Sequence, residues 1–99
     1  MAEVNPFSDI CKPEYLKILQ KRLDQSRGLV ISTTVCPACH KAKNLLDRNN
    51  VEYSEITLDR LSPEDGNEVG NCIYGPTPRR FVPVVYLDQQ KVGGYQELF

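Results

Sequence analysis

The tetrapeptide Cys36-Pro37-Ala38-Cys39 constrains this chain more than any other stretch. A CxxC pair is a chemical device, and what flanks it decides which one. Before it runs Leu29-Val30-Ile31, a short, continuously apolar and partly β-branched segment that suits a strand covered on both faces. From Pro37 onward Ala38, Ala42, Leu45 and Leu46 supply the apolar side of a helix, Lys41 and Lys43 its polar side, and Asn49-Asn50 its stop. Cys36 therefore falls at a helix N-terminus, where unpaired amides and the positive end of the dipole stabilise a sulfur anion. Cys39 lies about one helical turn inward, placed to attack a mixed disulfide at Cys36 rather than to compete for substrate. One cysteine attacks and the other resolves.

The 99-residue sequence, 40% hydrophobic, is enough for one compact domain over residues 1–99, with residues 1–12 expected as a flexible leader. Twelve Lys and Arg stand against thirteen Asp and Glu, so there is no electrostatic footprint for nucleic acid. No apolar run approaches the roughly 20 residues that span a bilayer, so no membrane partner is expected. Residues 1–11 lack the basic start and apolar run of an export signal, which gives a cytoplasmic expectation. A reducing compartment favours reactive thiols or metal ligands over structural bonds for Cys11, Cys36, Cys39 and Cys72. Cys72 shares a helical face with Val69 and Ile73 and reads as a small buried thiol, while Cys11 reads as incidental to the leader.

Pro13 suits a first helical position, and Leu16, Leu19 and Leu23 follow at helical spacing before Gly28. Residues 51–59 are strand-like but change phase between Tyr53 and Ile56. Ser62-Pro63-Glu64 gives a cap, a first-turn proline and an acid, opening a third helix weakened by Gly66 and Gly70. Gly75-Pro76-Thr77-Pro78 breaks it. Residues 81–87 read as a strand that Pro83 confines to beginning there or lying at an edge, and Asp88-Gln89-Gln90 turns it into Lys91-Val92. Gly93-Gly94 ends that strand, leaving at most one helical turn over residues 95–99.

From Leu29 to Leu98 the chain resembles dithiol glutaredoxins of the thioredoxin-like superfamily. Four blocks match in order: the strand and motif through Leu46, then Asp65-Gly66-Asn67-Glu68-Val69, then Arg79-Arg80-Phe81-Val82-Pro83, then Gly93-Gly94-Tyr95-Gln96-Glu97-Leu98. The resemblance implies an α/β thioredoxin-like fold: a small four-stranded mixed sheet flanked by helices, with the C-terminal helix largely absent. It implies glutathione-dependent reduction of protein disulfides and protein–glutathione mixed disulfides, with Cys36 and Cys39 catalytic. Glutathione is then a co-substrate and no cofactor is tightly bound; the partners are glutathionylated or disulfide-containing proteins. Pro83 is implied to be cis, with the Val82 backbone reading glutathione's cysteinyl unit. Gly94, Tyr95, Gln96 and Glu97 would meet the γ-glutamyl group, and Lys41, Arg79 and Arg80 are the cations for the glycyl carboxylate. Thr33 stands where the family usually has lysine, Ala38 where it has tyrosine and Phe81 where it has threonine.

Rival readings exist for the same residues. Cys36 to His40 is also a CxxCH haem-attachment pattern, against which stand the single methionine, the single histidine and the preceding strand. Zinc needs two more ligands, and Cys11 and Cys72 lack paired spacing. His40 reads as a solvated first-turn residue whose protonated form would favour a thiolate. The alternative function is a glutathione-ligated iron–sulfur cluster carrier using Cys36, which the rigid Pro37 disfavours. Family members usually continue past the Gly-Gly block with a full helix. With only residues 95–99 there, apolar surface beside the Cys36 helix is expected to stay uncovered, giving lower stability or a homodimer.

Overall fold

The computed structural model describes residues 6–94. Along them run α1 (Pro13–Gln25), β1 (Gly28–Ser32), α2 (Pro37–Arg48), β2 (Tyr53–Thr57), a 3-10 turn (Leu58–Arg60), α3 (Pro63–Tyr74), β3 (Val84–Leu87) and β4 (Gln90–Gly93). Each α-helix starts on a proline, which has no amide to leave unpaired in the first turn. Ser62 caps α3 by accepting from the Asp65 amide at 3.1 Å.

The strand order is β2-β1-β3-β4, with β1 and β2 parallel and the other two pairings antiparallel. All five residues of β1 are buried, which is why that segment reads as unbroken apolar sequence up to Ser32. Its side chains alternate between two cores. Leu29 and Ile31 join Leu19, Leu23, Val69 and Ile73 from α1 and α3, whereas Val30 joins Ala42 and Leu46 from α2. The thioredoxin-like architecture is thus a mixed sheet with α1 and α3 on one face and α2 on the other.

Register places the functional segments. Ile31 pairs with Val84, Ser32 with Thr57, and Val85 with Gly93. The chain leaving β1 toward Cys36, the chain entering β3 through Pro83 and the chain leaving β4 at Gly94 therefore share one end of the sheet.

Several expectations are corrected. Residues 6–12 are not a loose leader, because Phe7 is buried against Tyr86 with ring centroids 5.2 Å apart. The Ser8 amide also donates to the Cys72 carbonyl at 2.7 Å. Cys11 is not incidental and Cys72 is not a free thiol, since the two form a disulfide across 61 residues. β3 begins at Val84, directly after Pro83, and pairs with both β1 and β4, so of the two readings the strand starts at the proline and does not lie at an edge; residues 81–82 stay outside it, with Arg80 and the Phe81 carbonyl drawn onto α3. β4 begins at Gln90 after a turn in which Asp88 and Gln89 take positive φ. On the face beside α2, Val30 and Val85 are fully buried, while Leu45, Tyr53, Leu87 and Val92 are half-buried. Among the described residues the exposed large apolar side chains are Ile10, Ile18, Val35 and Phe81. The expected last turn at 95–99 lies outside the described residues.

Candidate active site

Cys36 is the N-cap of α2, with extended backbone (φ −154°, ψ 94°), and its Sγ accepts the Cys39 amide at 3.1 Å. The Cys36 carbonyl also takes the amides of Cys39 and His40 at 3.1 and 3.2 Å. The two motif cysteines are joined as a disulfide with Cα atoms 5.2 Å apart. Cys36 keeps 7% exposure and Cys39 1%, so solvent reaches the pair through Cys36. A thiolate formed there on reduction would meet the amide already pointing at its sulfur.

Two polar clusters hold the loop between β1 and α2. Thr34 donates to Asp59 through its amide, at 3.0 and 3.2 Å to the two carboxylate oxygens, and through its hydroxyl at 2.5 Å. The Thr34 hydroxyl, more than any other group, holds the Asp59 carboxyl below its ordinary value. Behind the loop, buried Ser32 donates to Glu55 Oε2 at 2.5 Å, and Lys43 Nζ reaches the same oxygen at 2.9 Å. Burial pushes the Glu55 carboxyl up, but the Ser32 and Lys43 hydrogen bonds and nearby positive charge outweigh it and leave it below its ordinary value. Sequence reading missed Asp59, Ser32 and Glu55. The signal for Glu55 was the phase change in residues 51–59, where a carboxylate interrupts the apolar alternation of β2.

The Val82–Pro83 peptide is cis, with Val82 half-buried and Pro83 buried. Gly94 is half-buried at the same sheet end, while Tyr95, Gln96 and Glu97 lie outside the described residues. Lys41 and His40 stand exposed on the first turns of α2. Arg79 is exposed, with its amide donating to the Thr77 hydroxyl at 3.2 Å. Arg80 lies on α3: Nη2 donates to Asn71 Oδ1 at 2.6 Å, and Nη1 to the carbonyl and side-chain oxygens of Asn67 at 3.3 Å each. It fits only because residue 70 is glycine, since a Cβ there would fall 2.2 Å from Nη1. Tyr74 donates its hydroxyl to the Phe81 carbonyl, and burial raises that phenol to about 12. A shallow cavity of about 350 Å³ opens beside the loop, lined by Thr33, Asp59, Gly66 and Asn67 among others.

Among the described residues no group of three or more His, Cys, Asp or Glu side chains converges as metal ligands. No described helix is long and apolar enough to cross a membrane.

The Glutaredoxin family model matches residues 29–92. Glutaredoxin 1 of Rickettsia prowazekii is 35% identical over 71 residues, covering 72% of this chain and 72% of that protein. A glutaredoxin of Ricinus communis is 36% identical over 75 residues, covering 75% and 72%. The crystal structure of a buckwheat glutaredoxin–glutathione complex superposes with a TM-score of 0.70 at 29% identity, over 87% of this chain and 80% of that one.

Proposed function

Because the chain belongs to the glutaredoxin family and is thereby a thiol–disulfide oxidoreductase, we propose that it works with glutathione through the Cys36/Cys39 dithiol. The observation that carries this reading is the Cys36 sulfur, capped by the Cys39 amide and the more exposed of the pair, at the sheet end that also holds cis-Pro83. Cys36 thiolate attacks the glutathione sulfur of a mixed disulfide. The Cys36–glutathione bond forms, and the protein sulfur leaves as thiolate and takes a proton from water. A second glutathione then attacks the glutathionyl sulfur, giving glutathione disulfide and free Cys36. Alternatively Cys39 attacks Cys36, which closes the disulfide seen here and releases glutathione.

The tripeptide is read along the same end of the sheet. Val82, ahead of cis-Pro83, offers backbone hydrogen bonds to the cysteinyl unit. Gly94 and the following Tyr95, Gln96 and Glu97 take the γ-glutamyl end, and Arg79, Arg80 and Lys41 supply cations for the glycyl carboxylate. The glutathione complex of the buckwheat relative supports glutathione as the ligand of this site. The substrates are glutathionylated or disulfide-containing proteins.

The test is turnover of a glutathionylated peptide with glutathione and glutathione reductase. Cys36→Ser abolishes it, because serine provides no comparable nucleophile at neutral pH. Cys39→Ser keeps it, because glutathione resolves the intermediate. Activity surviving in Cys36→Ser refutes the mechanism, and turnover equally fast with thiols lacking the γ-glutamyl and glycyl groups refutes glutathione dependence.

A further inference from the structure

The second disulfide has no part in the proposed catalysis. Cys72 is fully buried in the core between α1, α3 and the sheet, whereas Cys11 is only partly buried at its edge. We propose that Cys11–Cys72 is a second thiol-exchange site, opened by a small thiol attacking Cys11 Sγ, and that it clamps the N-terminal segment onto α3.

Accessibility sets the direction of attack. An incoming thiolate must approach along the S–S axis from the far side of the sulfur it attacks. Only the Cys11 side faces outward. Cys11 Sγ lies 3.7 Å from the Lys12 carbonyl oxygen, to which the thiol donates once the pair is open. Burial of Cys72 among apolar side chains disfavours its thiolate, so opening is slow and steric access, not leaving-group quality, sets the direction.

The chemistry balances with glutathione as reductant. Glutathione thiolate attacks Cys11 Sγ, the Cys11–Cys72 bond breaks, and Cys72 leaves as thiolate and takes a proton from solvent. A second glutathione thiolate attacks the glutathionyl sulfur on Cys11, releasing glutathione disulfide and Cys11 thiolate. Two glutathiones are oxidised and one protein disulfide is reduced.

The same contacts say what the bond holds. The Ser8 amide bonds the Cys72 carbonyl at 2.7 Å, and the Cys11 amide bonds the Ser8 carbonyl at 3.1 Å. Lys12 pairs with Glu68 of α3 at 2.8 Å. Phe7, one residue before this turn, is 5% exposed and packs on Tyr86. Once the disulfide opens, the covalent tie between the N-terminal segment and α3 is lost, so the open form is less stable.

The experiment uses the full chain carrying Cys36→Ser and Cys39→Ser, so only the second pair can titrate and a failure of the catalytic reading leaves the result intact. The protein is equilibrated in glutathione/glutathione disulfide buffers, alkylated and weighed, and melted in each buffer. The expected intermediate carries glutathione on Cys11. Melting temperature is expected to fall by on the order of 10–20 °C as the pair opens. Adding Cys11→Ala to this background is expected to give the low melting temperature in every buffer; if that variant does not fold, the titration of the intact pair decides alone. Glutathione carried on Cys72, a melting temperature that ignores opening, a pair already open in oxidising buffer, or a pair closed until the protein is denatured would each overturn the proposal.

Discussion

Gly70→Ala offers a test in which two effects of similar size oppose each other. Alanine in place of glycine inside a helix contributes about 1 kcal/mol of stability. Its methyl would sit 2.2 Å from Arg80 Nη1 and 3.0 Å from Cζ, and the three nearest atoms outside the local helix backbone all belong to Arg80. The guanidinium must therefore leave, losing its contacts with Asn67 and Asn71. Arg80 is exposed, two of the three contacts are long at 3.3 Å, and solvent screens them, so the loss is about 1 kcal/mol for the set. The net change is expected within about 1 kcal/mol of zero, a shift in melting temperature of no more than roughly 8 °C.

A double-mutant cycle in urea separates the two effects. Arg80→Ala alone is expected to destabilise by about 1 kcal/mol, and adding Gly70→Ala to it then stabilises by about 1 kcal/mol, since the helix gain remains and nothing is displaced. Arg80 lies two residues before Val82, so its release frees the segment proposed to read glutathione. Gly70→Ala and Arg80→Ala are both expected to raise KM for the glutathionylated substrate and to quicken amide exchange over residues 77–82, with kcat little changed. If Gly70→Ala costs more than about 2 kcal/mol in both backgrounds, the methyl meets something other than Arg80 and the reasoning fails.

Three further outcomes are expected. Glu55 is lowered on folding, so its contribution is fully present above its ordinary carboxylate value and is lost as pH falls through the lower value in the fold; Glu55→Gln flattens that limb of an acid titration, and an unchanged acid limb would count against it. The Tyr86 hydroxyl is buried with no hydrogen-bond partner among the described residues, so Tyr86→Phe is expected to stabilise by about 1 kcal/mol in urea melts, and destabilisation would reveal a buried partner such as water. Asp59→Ala removes the acceptor for Thr34 and is expected to lower kcat with global stability little changed, whereas Asp59→Asn, which keeps an acceptor, restores most of it; equal losses in both would point to charge rather than positioning.

What could be read from the sequence divides along lines of range. β1, the Cys36 helix and the capped start of α3 were legible because each is decided by neighbours a few residues apart: an apolar run, a helical repeat, a serine followed by proline. The ordered family blocks added cis-Pro83 and the Gly-Gly segment, and pairing of Ile31 with Val84 and Val85 with Gly93 brings them to the end of the sheet where Cys36 sits. The clamp was illegible because nothing local distinguishes a cysteine that packs in a core from one that is bonded there. Cys72 has the same helical phase in both cases, and its partner lies 61 residues away. The Thr34–Asp59 tie, 25 residues apart, was hidden for the same reason.

Gly66 and Gly70 weaken α3 in the sequence reading, yet among the described residues it is tied to several other segments. One side binds the N-terminal segment through Cys72 and Glu68. Another holds the segment before cis-Pro83, proposed to read substrate, through Asn67, Asn71 and Tyr74. Near its end the Ile73 carbonyl accepts Lys91 Nζ from β4 at 3.1 Å. Gly70 is the cost of one of these connections, since a side chain at that position would stabilise the helix and evict Arg80. Residues that weaken an element in isolation are expected where another segment must approach its backbone. A glycine in a buried helical position is therefore better read as a place where something lands than as a break. The Gly70 and Arg80 cycle decides between those readings for this chain, because only a landing site turns Gly70→Ala from nearly neutral to stabilising when Arg80 is removed.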